Sequence, residues 1–544
     1  MNDKYLYKHN PIVKRIFLSM LAPTILMNLT TAIGSVADTI IIGQYLDDLS
    51  LSVVTFATPI FMLINTFAAL FAVGGCITMS IDAGKGDKKS ANQAFSLSIE
   101  LLSFIGILFC FAGTFFSNTI TGWLGASGEV FGLVEQYSRI ILIGGPAFVI
   151  NIGLAFFVRN DGRPTLSMIG MFSSIIVDII LNFVFVGYLG YGVSGAAYST
   201  VIGQIVSISI IATHFFSSIN TLKFYFTLNK NICRVIKNGV SSALNFVYQF
   251  LIILIMNHIL VKLAPADGVI IYTVVFNLST VSLSVFEGIS QTIQPMISTY
   301  FGEKSFKNIK ATLRLAFITI LVICGSVTLL LEIFPQLVPI IFGIDDSVLI
   351  QESAVAVRIF ATSMIIMTIN VVIGYYLQST EKTTLSTILV SLRSFVFLLS
   401  STIILGLIFG INGIWASYTI AEVSAFIFIV SFLSAKKAKN SIKTVENGIY
   451  CLTFNCSEDK LEDFISYAES FIKENNFCTE VCDNVSHYLS MLKEFSVIKN
   501  SKFIEIEINN IDNKIIIRDN LKRTTISEDA PVLGWNRLCI KQGE

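Results

Sequence analysis

Long apolar runs separated by short polar or basic segments dominate the first 435 residues. Twelve such runs fall near residues 14–34, 50–78, 93–116, 135–158, 166–189, 194–216, 234–262, 268–296, 310–334, 352–378, 384–409 and 411–435. A hydrocarbon core about 30 Å thick is crossed by about 20 apolar helical residues, so each run predicts one membrane span. The links are too short to hold a soluble domain. The first run is long and has no small-residue cleavage site, so it is expected to stay as an anchor. From Lys436 the pattern changes. Strand-like alternation occurs at Phe503–Ile508 and Lys514–Arg518, and helical spacing at Leu461–Ile472. Residues 436–544 therefore read as a small α+β domain added to a bundle of about twelve transmembrane helices.

Composition sharpens this picture. Of 544 residues 53% are hydrophobic and only 14% charged, against about 25% charged in a soluble domain; the mean hydropathy is +0.73. Lys+Arg and Asp+Glu both number 37, which leaves no basic excess for nucleic acid. The nine cysteines are scattered, with no C-x-x-C pair. Cys478, Cys482 and His487 lack a fourth zinc ligand. No phosphate-binding Walker loop, dinucleotide fingerprint or nucleophile elbow is present, so neither an ATP-driven pump nor an enzyme is expected. Lys4, Lys8, Lys14 and Arg15 precede the first span. Alternate loops carry Lys85, Lys88 and Lys89; Arg159 and Arg163; Lys223 and Lys230; Lys304 and Lys307; and Lys382. By the positive-inside rule both termini are expected in the cytoplasm of a multi-pass cell-membrane protein.

The hydrophobic region also repeats. GDKKSAN at Gly86–Asn92 resembles GEKSFKN at Gly302–Asn308, and Pro23 aligns with Gly239 at the same offset. At nearly that offset Arg139 and Asn151 pair with Arg358 and Asn370, and GVSGAAYS at Gly192 pairs with GINGIWAS at Gly410. Six spans per half is an even number, so the halves share an orientation and should face each other across a cleft. The expected organisation is a first lobe at 1–222, a second at 223–435 and the added domain at 436–544. Two parallel six-helix lobes suit an alternating-access transporter better than a channel.

Ionisable residues within spans cost roughly 2.5–3.5 kcal/mol each and mark cavities, partners or ion paths. Asp38 lies toward the far end of the first span. Asp178 and Asn182, four apart in the fifth, share one helix face. Ala196 and Thr200, again four apart, open the sixth. Carboxylate, amide, hydroxyl and backbone oxygens from three helices could hold a hard monovalent cation or a proton. The same groups could simply join neighbouring helices by hydrogen bonds. In the second half, Val396 and Ser400 stand where Asp178 and Asn182 stand in the first. Glu287 is a further intramembrane carboxylate that could line the cleft, with Gln291 and Gln294 one and two turns on.

At these residues the sequence resembles the MATE (multidrug and toxic compound extrusion) family. The likeness rests on Pro23, VADTIIIGQYL after it, RNDGRPTLSM at Arg159–Met168, DIILNFVFVGYLGYGVSGAAYSTVIGQ at Asp178–Gln204 and QTIQPMISTYFGEK at Gln291–Lys304, and it covers residues 10–435. It implies secondary antiport: export of organic, often cationic, compounds by a monomer in the lipid bilayer against inward Na+ or H+, with no resident cofactor. It also implies a cation or proton site in the first lobe at Asp38, Asp178, Asn182, Ala196 and Thr200. Some relatives carry Asn first and Asp four later; here the charge sits one turn earlier. The added domain faintly resembles GHKL-type ATP-binding domains. There Glu480 and Asn484 match a magnesium-binding helix, Asp519 an adenine-reading strand and Gly534 a closing segment, while Leu521 replaces an expected glycine. A degenerate nucleotide site or a docking tail is the expectation. Two alternatives stay open: a flippase for lipid-linked precursors, and a membrane receptor with the added domain as its output.

Overall fold

The computed structural model describes residues 11–46, 48–225, 231–263, 267–344, 346–439, 447–455, 470, 483–488, 490–491, 503–511, 514–519 and 536–541. The first lobe holds α1 (Pro11–Tyr45), α2 (Asp48–Gly84), α3 (Lys88–Phe115), the short α4 (Ser117–Trp123), α5 (Val130–Ile143), α6 (Gly145–Asn160), α7 (Pro164–Asn182) and α8 (Gly192–Ala212). The second holds α9 (Ile232–Leu263), α10 (Asp267–Gly302), α11 (Phe306–Ile333), the short α12 (Leu337–Ile341), α13 (Ser347–Ala361), α14 (Met364–Ser379), α15 (Thr383–Ser391), α16 (Phe397–Phe409) and α17 (Ile411–Lys439). Among the described residues ten helical segments are long and apolar enough to cross a bilayer, and two bent pairs bring the total to twelve.

Those two pairs are the fourth span of each half. The pattern predicts one continuous run in each, whereas α5–α6 is bent by 47° and α13–α14 by 41°. At the first break, Gly144 and Gly145 precede Pro146, whose ring removes a backbone donor and crowds the carbonyl four residues back. A side chain on Gly145 would meet the Phe109 Cβ at 2.5 Å, so the bend is packed tightly. At the second break the Ser363 hydroxyl donates back to the Phe360 carbonyl at 2.7 Å. Pro23, Pro59 and Pro295 lie inside unbroken helices.

The halves meet through α1 against α10 and α2 against α9, pairs that the internal repeat makes equivalent. Glycine makes the approach possible. A Cβ on Gly74 would lie 2.1 Å from the Val235 carbonyl oxygen, and one on Gly239 would lie 1.8 Å from that of Leu70. Nearer the chain's basic loops, Gly84 and Gly302 meet in the same way: a Cβ on Gly302 would lie 2.1 Å from the Ile81 carbonyl oxygen. The Asn238 amide donates to Thr78 at 3.0 Å, and both Nη1 contacts from Arg234 to the Asp82 carboxylate are 2.8 Å. Arg234 Nε donates to Glu381 at 2.6 Å. The lobes are thus sealed along the basic-loop face.

On that face Asp87 caps α3, accepting from the Ser90 amide at 2.9 Å and the Ser90 hydroxyl at 2.6 Å. The hydroxyl first, and then the amide, hold the Asp87 carboxyl below its ordinary pKa. The cap therefore stabilises above the usual carboxylate pKa and is lost as pH falls through the lowered value. Asp87→Ala is expected to cost about 1 kcal/mol, read as a lower thermal transition at pH 7 that converges with wild type in acid.

The segment after α8 runs back over the first lobe. Asp161 accepts from the Thr221 amide at 2.8 Å and from the Thr221 hydroxyl, and its Oδ2 lies 2.7 Å from Nε2 of the buried His214. The Lys223 amide donates to Asn92 at 2.7 Å and the Tyr225 amide to Ser96 at 2.8 Å. After α17 comes an antiparallel meander of β1 (Asn447–Asn455), β2 (Phe503–Ile511), β3 (Lys514–Asp519) and β4 (Asn536–Lys541). Ile508 stands opposite Ile517 and Ile506 opposite Asp519. The strands predicted at Phe503–Ile508 and Lys514–Arg518 are present, each slightly longer; the helix predicted at Leu461–Ile472 lies outside the described residues, apart from a helical Ser470.

Candidate functional site

The first-lobe group forms where α7 and α8 pack. Gly203 lets the helices approach, since a Cβ there would lie 2.6 Å from the Ser174 carbonyl oxygen. On the facing turns Asp178 is 6% exposed and Asn182 fully buried, and the Asn182 amide donates to Asp178 at 3.3 Å. The hydroxyls of Ser199 and Thr200, on α8, lie near the same carboxyl. They also lie 2.7 and 2.9 Å from the Ala196 carbonyl oxygen. Each hydroxyl has one proton. When it points to Ala196, an oxygen lone pair is left toward Asp178. A carboxylate, an amide and two hydroxyl oxygens then converge, and no Lys or Arg is paired with Asp178 among the described residues. The four-residue spacings singled out Asp178, Asn182, Ala196 and Thr200; Ser199 was missed, although it lies one residue before Thr200. Asp38 belongs to α1, which packs on α7, but its side chain lies outside the described residues.

A second polar group crosses the seam. Arg159 carries a loop charge in the sequence reading; the structure places it in the last turn of α6, fully buried. Its guanidinium donates to Gln291 at 2.9 Å and to Gln294 at 3.4 Å, and lies 4.5 Å from the Phe156 ring centroid. Gln291 also exchanges hydrogen bonds with Asn28 of α1, at 3.1 and 3.2 Å. The Tyr375 hydroxyl donates to Glu287 at 2.6 Å, and Gln291 reaches the same oxygen at 3.4 Å. Gln291 and Gln294 are therefore buried partners of Arg159 within the seam, while Glu287 is partly exposed.

A third group lies inside the second lobe, and pattern reading missed it. Arg393 and Glu422 form a bidentate pair, with Nη2 to Oε1 at 2.7 Å and Nε to Oε1 at 3.1 Å. The Asn370 amide donates to the other carboxylate oxygen at 2.7 Å. Both charges sat in view in the eleventh and twelfth apolar runs, and the cost of burying either alone was the available signal. By the repeat, Asn370 and Glu422 correspond to Asn151 and Gln204, which are joined at 2.6 Å in the first lobe. Intramembrane charge thus occurs in both lobes; in the second, Glu422 is neutralised by Arg393, while Glu287 is held by Tyr375 and Gln291.

Of the positions in the added domain, Asn484 is exposed on a helical segment and Asp519 ends β3, with its side chain outside the described residues; Glu480 and Gly534 lie wholly outside them.

Comparisons place this architecture. Multidrug export protein MepA of Staphylococcus saprophyticus is 25% identical over 431 residues, covering 78% of this chain and 94% of that protein. An outward-facing multidrug resistance MATE family transporter of the MOP superfamily superposes with a TM-score of 0.73 at 20% identity, covering 80% of this chain and 99% of its own. The MATE multidrug transporter DinF-BH gives 0.71 at 24% identity, covering 78% and 96%. The MatE family profile matches twice, at residues 23–184 and 239–401, segments that start at the paired positions Pro23 and Gly239. The strands after α17 lie beyond both. With more than half of its length matched, this chain belongs to the MatE family of membrane transporters.

Proposed function

We propose that the protein is a multidrug-efflux antiporter that exports organic, often cationic, small molecules against an inward Na+ or H+ gradient. It works as a monomer by alternating access between lobes 1–222 and 223–435, with both termini and the basic-loop face in the cytoplasm. The sealed face then corresponds to an outward-facing state. The observation that carries this reading is the contrast between Asp178 and Glu422. Glu422 is neutralised by Arg393, a fixed partner that leaves no charge to exchange. Among the described residues the Asp178 carboxyl meets the Asn182 amide and neutral hydroxyls, a set that a mobile cation or proton completes. Asp38 is proposed to join it from α1, so that loading alters how α1 packs on α7 and shifts the balance between the two states. The likeness to the multidrug export protein MepA supports the export direction. A flippase holding a lipid diphosphate would need interior cations open to bind it; Arg393 is engaged by Glu422, and Arg159 is fully buried and held by Gln291 and Gln294.

The test uses purified protein in liposomes and a fluorescent organic cation, with a Na+ gradient and a pH gradient imposed separately. One gradient should drive transport at least about tenfold above the gradient-free rate, and Asp178→Asn should remove that drive while its thermal transition stays near wild type. Transport that is inert to both gradients, or untouched by the substitution, would overturn the proposal.

A further inference from the structure

We infer that the added C-terminal sheet is a strap across the basic-loop face that holds the two lobes shut there, through Arg518 of β3 and Glu303 at the end of α10. Arg518 pairs with Glu303, and both side chains are buried, 4% and 1% exposed. The guanidinium carbon lies 5.0 Å from the ring centroid of the fully buried Tyr300. A buried pair of this kind is specific, because separating it leaves an uncompensated charge in a poor solvent. The sheet also touches the other lobe: β2 lies against α1. A body attached to α1 on one side and α10 on the other must break one attachment whenever those helices part at this face.

The anchor point sits on the seam itself. Glu303 follows Gly302, the glycine packed against Ile81 and Gly84 of the opposite lobe. The internal repeat shows that this site is not a generic feature of the fold. The counterpart of Glu303 in the first half is Asp87, which turns back to cap its own helix through Ser90. In the second half Ser305 stands at the N-cap of α11 with no side-chain capping bond, and the longer acid faces Arg518 instead. The turn is rebuilt to match. The first half places glycine in the left-handed region, Gly86 at φ +84°, whereas the second holds Lys304 there at φ 62°, a conformation that disfavours a residue with a Cβ. The second-half turn has thus exchanged a local cap for a long-range ion pair with residues beyond the MatE-matched segments.

The inference rests on the alternating-access reading for its purpose but not for its test. Hydrogen exchange by mass spectrometry on the full chain in lipid nanodiscs reads seam opening whether or not any substrate moves. Arg518→Gln should raise exchange several-fold in peptides on both sides of the seam, around residues 78–87 and 299–308. The charge-swapped pair E303R/R518E, which restores the attraction, should bring exchange back toward wild type. Faster exchange confined to residues 503–519 would mean that Arg518 only stabilises its own sheet, and would overturn the strap. Failure of the swapped pair to restore protection would overturn it as well. Absence of gradient-driven efflux with these exchange shifts intact would count against the antiporter reading alone.

Discussion

Arg393→Ala is expected to destabilise the protein by about 3–5 kcal/mol, because it strands the Glu422 carboxylate inside the second lobe. The residue is bonded to Glu422 through both Nε and Nη2, and Glu422, 5% exposed, is otherwise held by Asn370 of α14. The measurement is thermal or denaturant unfolding of purified protein in one detergent. Arg393→Met combined with Glu422→Leu removes both charges together and should recover most of the loss, since replacing a whole buried pair by apolar side chains is often neutral. Equal damage from the double and the single substitution would show that the pair contributes through its hydrogen bonds to Asn370 rather than through charge compensation.

Gly239→Val is expected to do the opposite: to abolish transport, at least about tenfold, while leaving the thermal transition within a few degrees of wild type. The Cβ of any residue at 239 would sit 1.8 Å from the Leu70 carbonyl oxygen, and a backbone atom in mid-helix cannot turn aside as a side chain can. The helices α2 and α9 must therefore separate, and the basic-loop face cannot seal. The substitution acts at the seam, where Gly239 meets Leu70, rather than on a side chain within either lobe. Parallel measurements of vesicle transport and melting temperature separate the two effects. Near-normal transport would show that the tight glycine contact is not needed in the cycle.

These two residues also show what the sequence makes legible. Gly239 was visible as the partner of Pro23 in the repeat, but not as a contact, because the repeat aligns halves without stating which faces meet. Asp178 and Asn182 were legible because four residues make one helical turn, and the structure brings them together. Arg393 and Glu422 escaped because they stand on different spans, and nothing local links them. Arg159 was read as a loop cation for a related reason: a residue at a span's edge belongs to water or to a seam depending on tertiary packing. Each fourth span is the single run that the pattern predicts, but bent: at Gly144–Pro146 the proline was a readable sign of a bend, whereas at Thr362–Ser363 no such signal exists. The partnership of Arg518 with Glu303 joins two distant stretches of chain, and periodicity carries no information at that separation.

The segment pinned by Asp161, Asn92 and Ser96 has a mechanical meaning. Residues 217–225 are fastened to the first lobe, so its hydrogen-bonded structure extends to Tyr225. Helix α9 begins at Ile232, seven peptide steps later. A fully extended chain covers at most about 3.6 Å per residue, so the leash is roughly 25 Å long. However the lobes rock, the start of α9 cannot travel farther than that from Tyr225. Covalent length alone thus sets an upper bound on the separation of these two points, independent of substrate, ion or membrane, and under the alternating-access reading it bounds the stroke as well.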